Sequence, residues 1–295
     1  MRYLTLLAFG LPACASCGSP TTPTAIFGVV STSPPPGGTV YLPAAWPENT
    51  RVPAPTVTSP NAIVWDFDGT LADTRRRNYN VVRRLIAEST GRALDGIPAL
   101  ASPEIYDEVN RRYFNWRELY AQEFGFNEEE TDRLGRLWTA YQLKDDTPAE
   151  IFEGIDEVLV QLQQVRHGIV SQNARDQIVR TLAGARLAEH FQVIVGYDEV
   201  DIKRQKPEPD GVLACLKELN GLAPGRALYV GDHETDVRCA RNAQQALSAS
   251  GFAVEMVSVA ACFGGHTGPG DWTQQPDYVA WSPRQVVEIA QRLGL

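Results

Sequence analysis

Hydrophobic positions along this chain follow two alternating patterns, one of short apolar runs and one of helical spacing. Apolar runs that end at turn residues predict buried strands, at 62–65, 167–170, 191–195, 227–230 and 253–259. Apolar residues three or four positions apart predict helices, at 154–165, 176–183, 210–220, 235–245 and 283–293. Strand–helix units repeated in this way predict an α/β fold, a doubly wound parallel sheet with helices on both faces.

The stretch after the first strand has helical spacing only. We expect one helix from about residue 78 to Gly91, a second over 103–124, and a third from Asn127, whose side chain can cap the acidic residues after it. Four large aromatic residues are assigned to the interior of this block, with a substrate-binding surface as the alternative: Tyr113, Trp116, Trp138 and Tyr141. The block is therefore predicted as an all-helical insertion.

Three regions follow from these patterns. Residues 61–74 and 149–295 are the predicted α/β core, and residues 75–148 are the helical insertion. Residues 1–60 hold 11 of the 20 prolines and only three charged side chains, a composition that predicts a disordered, extended segment. The apolar run at 4–11, followed by Ala13-Cys14-Ala15, has the outline of a secretory or lipoprotein signal, and a mildly apolar tail is the other interpretation.

Charge and cysteine content narrow the function classes. The net charge of −9 argues against broad nucleic-acid binding, so no nucleic-acid partner is expected. No apolar run reaches the ~20 residues that a membrane span needs. Three widely separated cysteines, Cys215, Cys239 and Cys262, are typical of reduced core thiols, which favours a cytoplasmic location. Secretion or membrane anchoring is the alternative if the signal-like segment is functional.

Candidate chemistry concentrates where predicted strands end. Asp66 and Asp68 follow the first strand and face the same side, because side chains of an extended chain alternate with period two. Two adjacent carboxylates repel each other unless a cation or a proton lies between them. By itself this stretch is better explained as an aspartate-rich turn at Gly69.

Three further polar stretches follow later strands or lie in the loops beyond them. Each has an ordinary explanation: Ser171 as a helix cap, Lys206 as a solvated charge, and Asp232 and Asp236 as complements of a helix dipole. Ligands of open parallel sheets bind outside the carboxyl ends of the strands. The recurrence of polar residues at this edge therefore favours a functional site over four unrelated turns.

These stretches carry a family resemblance. In chain order, Asp66-Phe67-Asp68-Gly69-Thr70, Ser171, Lys206-Pro207 and Gly231-Asp232-His233-Glu234-Thr235-Asp236 resemble the four signature motifs of the haloacid dehalogenase (HAD) superfamily. The resemblance covers residues 62 to about 290, and the helical insertion resembles the small α-helical cap of that family. Because the first motif continues as Leu71-Ala72-Asp73-Thr74, the chain is most similar to the phosphoglycolate phosphatase-like branch.

The resemblance implies a role for each matched residue. Asp66 would be the nucleophile and Asp68 the general acid and base. The implied phosphate-binding set is Gly69, Thr70, Ser171, the backbone amide of Gln172, and Lys206. Mg²⁺ would be held by Asp66, the backbone carbonyl of Asp68, and Asp232. Asp236 would contact Lys206 or a metal-bound water, and His233 would lie at the rim.

The implied activity is that of a Mg²⁺-dependent phosphatase acting on a small phosphorylated metabolite through an aspartyl-phosphate. A sugar-phosphate mutase retains the same core residues, and a non-catalytic phosphate-binding scaffold is the alternative from another class. Asp68 argues against a dehalogenase. A phosphonate hydrolase needs a lysine in the cap, where only Lys144 is present. The sequence leaves the substrate and the oligomeric state open.

Overall fold

The structure, a computed structural model, describes residues 62–265 and 268–295. The predictions made for residues 1–60, the disordered segment and the targeting signal, lie outside the described residues. Within the described part of the chain, no helix has both the length and the apolarity that crossing a membrane requires.

Six parallel strands form the main sheet, in the order β5-β4-β1-β6-β7-β8. The strands of the described chain are β1 (Ala62–Trp65), β2 (Ala72–Asp73), β3 (Glu150–Ile151), β4 (Arg166–Val170), β5 (Phe191–Val195), β6 (Gly225–Gly231), β7 (Val254–Ala261) and β8 (Tyr278–Ala280). The helices are α1 (Arg75–Thr90), α2 (Pro103–Asn110), α3 (Trp116–Gln122), α4 (Glu128–Leu143), α5 (Ile155–Gln161), α6 (Arg175–Gly184), α7 (Asp210–Asn220), α8 (Glu234–Ala249) and α9 (Pro283–Arg292).

The central strand β1 is fully buried, because helices cover both faces of the sheet. Residues of α5, α6 and α9 pack with one set of strand side chains, which includes Ile63 and Trp65. Residues of α7 and α8 pack with the alternate set, which includes Ala62 and Val64. Side chains of one strand thus enter two separate cores, as period-two alternation requires. The predicted doubly wound α/β fold is confirmed.

Helices α1 to α4 lie between β2 and β3 and pack around their own apolar cluster, in which Leu85, Leu119 and Leu134 are fully buried. We call these four helices the cap. Its two connections to the core meet in an antiparallel ribbon, where Ala72 pairs with Ile151 and Asp73 with Glu150.

Two local predictions differ from the structure. The single helix expected over 103–124 is divided into α2 and α3, because the chain between them turns toward the core and Asn115 caps α3 by accepting from the Arg117 amide at 2.8 Å. Strand β8 was not expected, since three residues are too few to establish a period. The side chain of Asn127 caps the first turn of α4 as expected, and Glu130 completes a capping box with it.

Candidate active site

The first motif turns sharply at the end of β1. The amide of Asp66 donates to the carbonyl of Val230 in the neighbouring strand β6 at 2.8 Å, which extends the sheet contact into the motif. Gly69 then adopts a positive φ of 72°. A Cβ atom at Gly69 would overlap the carboxylate of Asp232. Glycine is therefore needed here both for its backbone conformation and for the close approach of the two loops.

A buried lysine joins the first motif to the last. Lys206 Nζ lies 2.5 Å from Asp66 Oδ1 and 2.8 Å from Asp236 Oδ1, and all three side chains are buried. Asp236 also accepts hydrogen bonds from the hydroxyl of Tyr229 at 3.3 Å and from the amide of His233 at 3.2 Å. Asp236 is thus fixed by three donors, and it in turn fixes the ammonium group against Asp66.

Burial and charge act in opposite directions on this pair. Burial raises the pKa of Asp66 well above its usual range, the ammonium of Lys206 opposes the rise, and Asp236, Asp68 and Asp232 add to it. Burial by itself lowers the pKa of Lys206, but the carboxylates of Asp236 and Asp66 outweigh it, so the pKa of Lys206 is raised well above its usual range. The lysine therefore remains a cation, and the acidic cluster favours additional positive charge.

Four donors surround the carboxylate of Asp68. Oδ1 accepts from Asn173 Nδ2 at 2.6 Å, from Asn78 Nδ2 at 3.0 Å and from the hydroxyl of Thr74, and Oδ2 accepts from Ser171 Oγ at 3.3 Å. These donors come from the first motif, from α1 and from the loop after β4. They orient Asp68 from both the core and the cap.

The remaining residues proposed to bind phosphate have distinct surroundings. Ser171 Oγ accepts from the Asn173 amide at 3.1 Å while it donates to Asp68, so this hydroxyl lies beside the proposed acid–base group. Gln172 Nε2 donates to the carbonyl of Lys206 at 3.4 Å. Thr70 is fully buried, and its hydroxyl has no hydrogen-bond partner among the described residues.

The cap reaches into the site through Arg111, which follows α2. Its Nη2 lies 3.1 Å from Asp232 Oδ2, and its Nε lies 3.3 Å from Asp107 in the cap. The carbonyl of Arg111 lies 2.9 Å from Nε2 of His233, and the hydroxyl of Thr235 donates to the carbonyl of Phe114 at 2.9 Å. The segment from Asp232 to Thr235 therefore holds both a side chain and the backbone of the cap.

The acidic cluster fits a divalent cation. Carboxylate oxygens of Asp66, Asp232 and Asp236 lie within 4.8 Å of one another, and all three side chains are buried. Hard cations such as Mg²⁺ prefer oxygen ligands of this kind. Both carboxylate oxygens of Asp236 already accept from protein donors, Oδ1 from Lys206 and Tyr229 and Oδ2 from the His233 amide, which makes Asp66 and Asp232 the better-suited pair. The unpartnered hydroxyl of Thr70 and the surplus of carboxylates are consistent with a polar ligand beside the first motif.

A cavity of about 180 Å³ lies between the core and the cap. Its core side is lined by Asp66, Asp68, Lys206 and Asp232. Its cap side includes Tyr113, Trp116 and Trp138, so three of the four aromatic residues expected in the interior of the cap also line the cavity. They are only partly buried against the cap cluster, which leaves part of each ring available to a ligand.

Several contact residues were not predicted from the sequence. Asn78 and Asn173 hold Asp68, and Arg111 contacts Asp232. Of these three residues, Asn173 alone could have been found from the sequence, because it lies two residues beyond Ser171 in the same loop. Arg111 gave no such signal, because it falls inside a stretch that was predicted as one uninterrupted helix.

Comparison with known proteins places this geometry in a family. The model of the haloacid dehalogenase-like hydrolase family matches residues 63–249. The pyrophosphatase PpaX of Bacillus velezensis is 30% identical over 185 residues, which are 62% of this chain and 79% of that protein. A phosphoglycolate phosphatase of Xanthomonas campestris pv. campestris is 25% identical over 236 residues, which are 78% of this chain and 96% of that protein.

A solved structure supports the fold. The haloacid dehalogenase-like family hydrolase from Streptococcus pneumoniae has a TM-score of 0.57 and 19% identity, and the match covers 79% of this chain and 99% of that one. Together with the family match and the phosphatase relatives, these findings make the chain a member of the haloacid dehalogenase-like hydrolase family and a phosphatase that acts as a phosphoric monoester hydrolase.

Proposed function

We propose that the chain is a Mg²⁺-dependent phosphatase that hydrolyses a small phosphorylated metabolite through an aspartyl-phosphate. The arrangement that carries this proposal is the buried Asp66 carboxylate, held 2.5 Å from the Lys206 ammonium and lining the same cavity as Asp68. A carboxylate nucleophile needs a nearby cation to approach a phosphate dianion, and a second group to handle protons.

In the first step, one carboxylate oxygen of Asp66 forms a bond to phosphorus while the bond from phosphorus to the alcohol oxygen breaks. Asp68 gives a proton to the departing alcohol oxygen, so the alcohol leaves neutral. The product of this step is a mixed anhydride of Asp66 and phosphate.

In the second step, water attacks phosphorus and its proton moves to Asp68. The bond between phosphorus and the oxygen of Asp66 breaks, which releases inorganic phosphate and restores both carboxyl groups. Four donors around Asp68 keep it in one place for both proton transfers. One residue can therefore act first as an acid and then as a base.

Charge on the transferred group requires positive partners. Lys206 supplies one, and donors around Gly69 and Thr70, the hydroxyl of Ser171 and the amide of Gln172 are the further groups we propose for the phosphate oxygens. We propose Asp66, Asp232 and the carbonyl of Asp68 as the residues that hold Mg²⁺. When bound there, Mg²⁺ supplies positive charge to the phosphate oxygens.

The proposed substrate class is a small-molecule phosphate ester. The relatives are named for pyrophosphate and phosphoglycolate, which are both small. The cavity of about 180 Å³ under the cap agrees with such a size, and we propose no nucleic-acid partner.

We also propose a cytoplasmic location. Cys215, Cys239 and Cys262 are buried free thiols, and burial raises the pKa of the Cys215 thiol to about 12, which keeps it protonated. Buried free thiols are typical of reducing compartments. Fractionation of cells that produce the full chain tests this.

The central experiment replaces the proposed nucleophile. Asp66→Asn is expected to abolish phosphate release from 4-nitrophenyl phosphate, because an amide cannot form the anhydride. The matched control is Asp156→Asn, at an exposed position on α5, which should retain full activity.

Two observations would contradict the proposal. One is continued turnover by Asp66→Asn. The other is the failure of Mg²⁺ to restore the activity of wild-type protein after treatment with a chelator. Rapid acid quench followed by mass spectrometry should find the phosphoryl group on the peptide that contains Asp66.

A further inference from the structure

One side of the cavity carries aromatic rings in place of charges. Trp116 and Trp138 come from the cap and Tyr197 from the core, and all three line the same cavity as the acidic cluster. The ring centroids of Trp116 and Tyr197 lie 6.2 Å apart, and Tyr120 packs edge-on against Trp116 with centroids 5.2 Å apart. We call Trp116, Trp138 and Tyr197 the aromatic wall.

Both indoles of this wall are fixed to the catalytic loops. Trp138 Nε1 donates to the carbonyl of Gln172, the residue after Ser171, at 3.1 Å. Trp116 Nε1 donates to Oε1 of Gln205, the residue before Lys206, at 3.1 Å. Each ring is therefore held in a set orientation next to a residue proposed to bind phosphate.

Tyr197 is the polar exception in this wall. It is 7% exposed, and its hydroxyl has no hydrogen-bond partner among the described residues. A buried hydroxyl without a partner costs free energy comparable to a lost hydrogen bond. Such a group on a cavity wall is explained when a ligand supplies the partner.

A glycine in helix α4 lets the aromatic wall pack directly against the helix backbone. Gly135 lies in α4 and lines the cavity, and a Cβ atom there would lie 2.7 Å from Trp116 and 2.8 Å from the hydroxyl of Tyr197. Glycine in a helix costs about 1 kcal/mol relative to alanine. The residue therefore lowers local helix stability but allows Trp116, Tyr197 and Ile202 to pack closely against α4.

We propose that the aromatic wall binds a flat ring carried by the alcohol part of the substrate, and that the hydroxyl of Tyr197 hydrogen-bonds to a polar atom of that ring. The preferred substrate is then a phosphate monoester of an alcohol that bears an aromatic or heteroaromatic ring. This inference rests on the proposed function, because the phosphate of that ester has to lie at Asp66.

Charge distribution agrees with this substrate class and disfavours a second anionic group. The aromatic wall offers ring faces and one hydroxyl, and both cap arginines that line the cavity are paired with carboxylates, Arg75 with Asp73 and Arg111 with Asp232 and Asp107. Ring faces stack on flat groups with energies large enough to select among substrates. Compounds whose second group is a phosphate or a carboxylate would place a charge against aromatic carbon.

Binding of phosphonates, which cannot be hydrolysed, tests the inference independently of turnover. Titration calorimetry compares ethylphosphonate, benzylphosphonate and the three pyridylmethylphosphonates on the wild-type protein with Mg²⁺. Benzylphosphonate is expected to bind about tenfold more tightly than ethylphosphonate. At least one pyridyl isomer should bind more tightly still, because its ring nitrogen can accept from Tyr197.

Three variants test whether the aromatic wall causes the preference for ligands that carry a ring. Trp138→Ala should reduce the preference for benzyl over ethyl to less than about threefold. Tyr197→Phe should remove only the advantage of the best pyridyl isomer over benzyl. Tyr141→Ala is the matched control: Tyr141 lies on α4 near Trp138 but is absent from the cavity lining, so the preference should persist.

Thermal unfolding of every variant guards against one that simply misfolds. Trp138→Phe keeps a ring at this position and loses less packing than Trp138→Ala, so it should stay folded and retain part of the preference for rings. Equal binding of ethyl and benzyl compounds by the wild-type protein overturns the inference. So does an unchanged preference in Trp138→Ala.

Ester hydrolysis separates this inference from the proposed function. Benzyl phosphate and ethyl phosphate have alcohols of similar acidity, so a difference in kcat/KM reports binding of the ring. Hydrolysis of both with equal kcat/KM overturns the ring inference alone. Tight ring binding without hydrolysis of any ester overturns the proposed function alone. Uridine 5′-monophosphate, compared with benzyl phosphate, distinguishes a ring next to the ester from a ring beyond a sugar.

Discussion

The cavity has a charged core side and an aromatic cap side, and the two are built differently. On the core side, Asp66, Lys206 and Asp236 come from three separated motifs and contact one another directly. On the cap side, Trp116 and Trp138 are each anchored to the core by one hydrogen bond from the indole nitrogen, and Trp116 also packs against Tyr197 of the core. The core side is a closed network of charges, and the cap side is a set of ring faces with polar anchors.

This difference indicates that the two sides of the cavity have separate roles. Each member of the charged network is positioned by others, so replacing one disturbs the rest. The rings carry no charge, so one can be exchanged without leaving a buried charge unpaired. We infer that the reaction depends on the core side and the choice of alcohol on the cap side.

Asp68→Asn tests the core side with the largest expected effect. We expect kcat/KM for ethyl phosphate to fall by about 10²–10⁴-fold, because the leaving alcohol no longer receives a proton. The loss for 4-nitrophenyl phosphate should be much smaller, since nitrophenolate leaves without a proton. Steady-state kinetics with both esters provide the measurement and its internal control. Equal losses for the two esters would contradict the role of Asp68 as general acid.

Lys206→Met separates charge from packing on the same side. We expect kcat for 4-nitrophenyl phosphate to fall by about 10²–10³-fold, because the transferred phosphoryl group loses its fixed cation. The free energy of unfolding should also fall, by about 3–5 kcal/mol, since Asp66 and Asp236 remain buried without their ion-pair partner.

The control for that variant is Lys203→Met. Lys203 is exposed and pairs with Glu128 at 3.1 Å on the surface, so it should change stability by no more than about 1 kcal/mol and leave kcat unaltered. Similar losses in the two variants would show that charge near the site, rather than the buried pair, is what matters.

The smallest effect on catalysis is expected from a buried histidine at the other end of the strands. His167 accepts from Trp65 Nε1 at 3.1 Å, and its other ring nitrogen lies 3.1 Å from the carbonyl of Leu162. Burial lowers the pKa of His167 to about 4. The unfolded chain therefore binds a proton that the folded chain does not between about pH 6.5 and pH 4.

Stability should accordingly decrease as the pH falls through that window, by up to about 3 kcal/mol from this residue. Urea unfolding at pH 7, 6 and 5 measures the decrease, and His167→Gln should show a shallower dependence. If the free energy of unfolding of that variant changes with pH as steeply as that of the wild type, His167 does not cause the pH dependence. Activity at pH 7 in wild type should be independent of this residue's proton, because the ring is neutral there.

The core side could be predicted from the sequence because its residues follow strand ends. Asp66, Lys206 and Asp232 lie in loops at one edge of a parallel sheet, and a sheet edge brings distant motifs together by topology alone. The fold itself followed from the same strand–helix alternation.

The cap side could not be predicted in the same way. Helical spacing identifies an apolar face but does not say whether that face meets a cavity, so Trp116 and Trp138 were assigned to the interior. Arg111 lies in the turn between α2 and α3, where a single helix was expected. That turn depends on contacts with His233 and Thr235 across the interface between cap and core. Tertiary contacts of this kind leave no periodic signal.

The antiparallel ribbon of β2 and β3 has a consequence for how such proteins diversify. Both chain crossings into the cap pass through two paired residues on each side, so the ends of the insertion lie next to each other. Insertions with adjacent ends can be exchanged without displacing their host. Grafting another helical segment between Asp73 and Glu150 would present a different set of substrates to the same aspartates. The ribbon is thus a position at which one inserted segment can replace another, and new specificities can arise by recombination here as well as by point substitution.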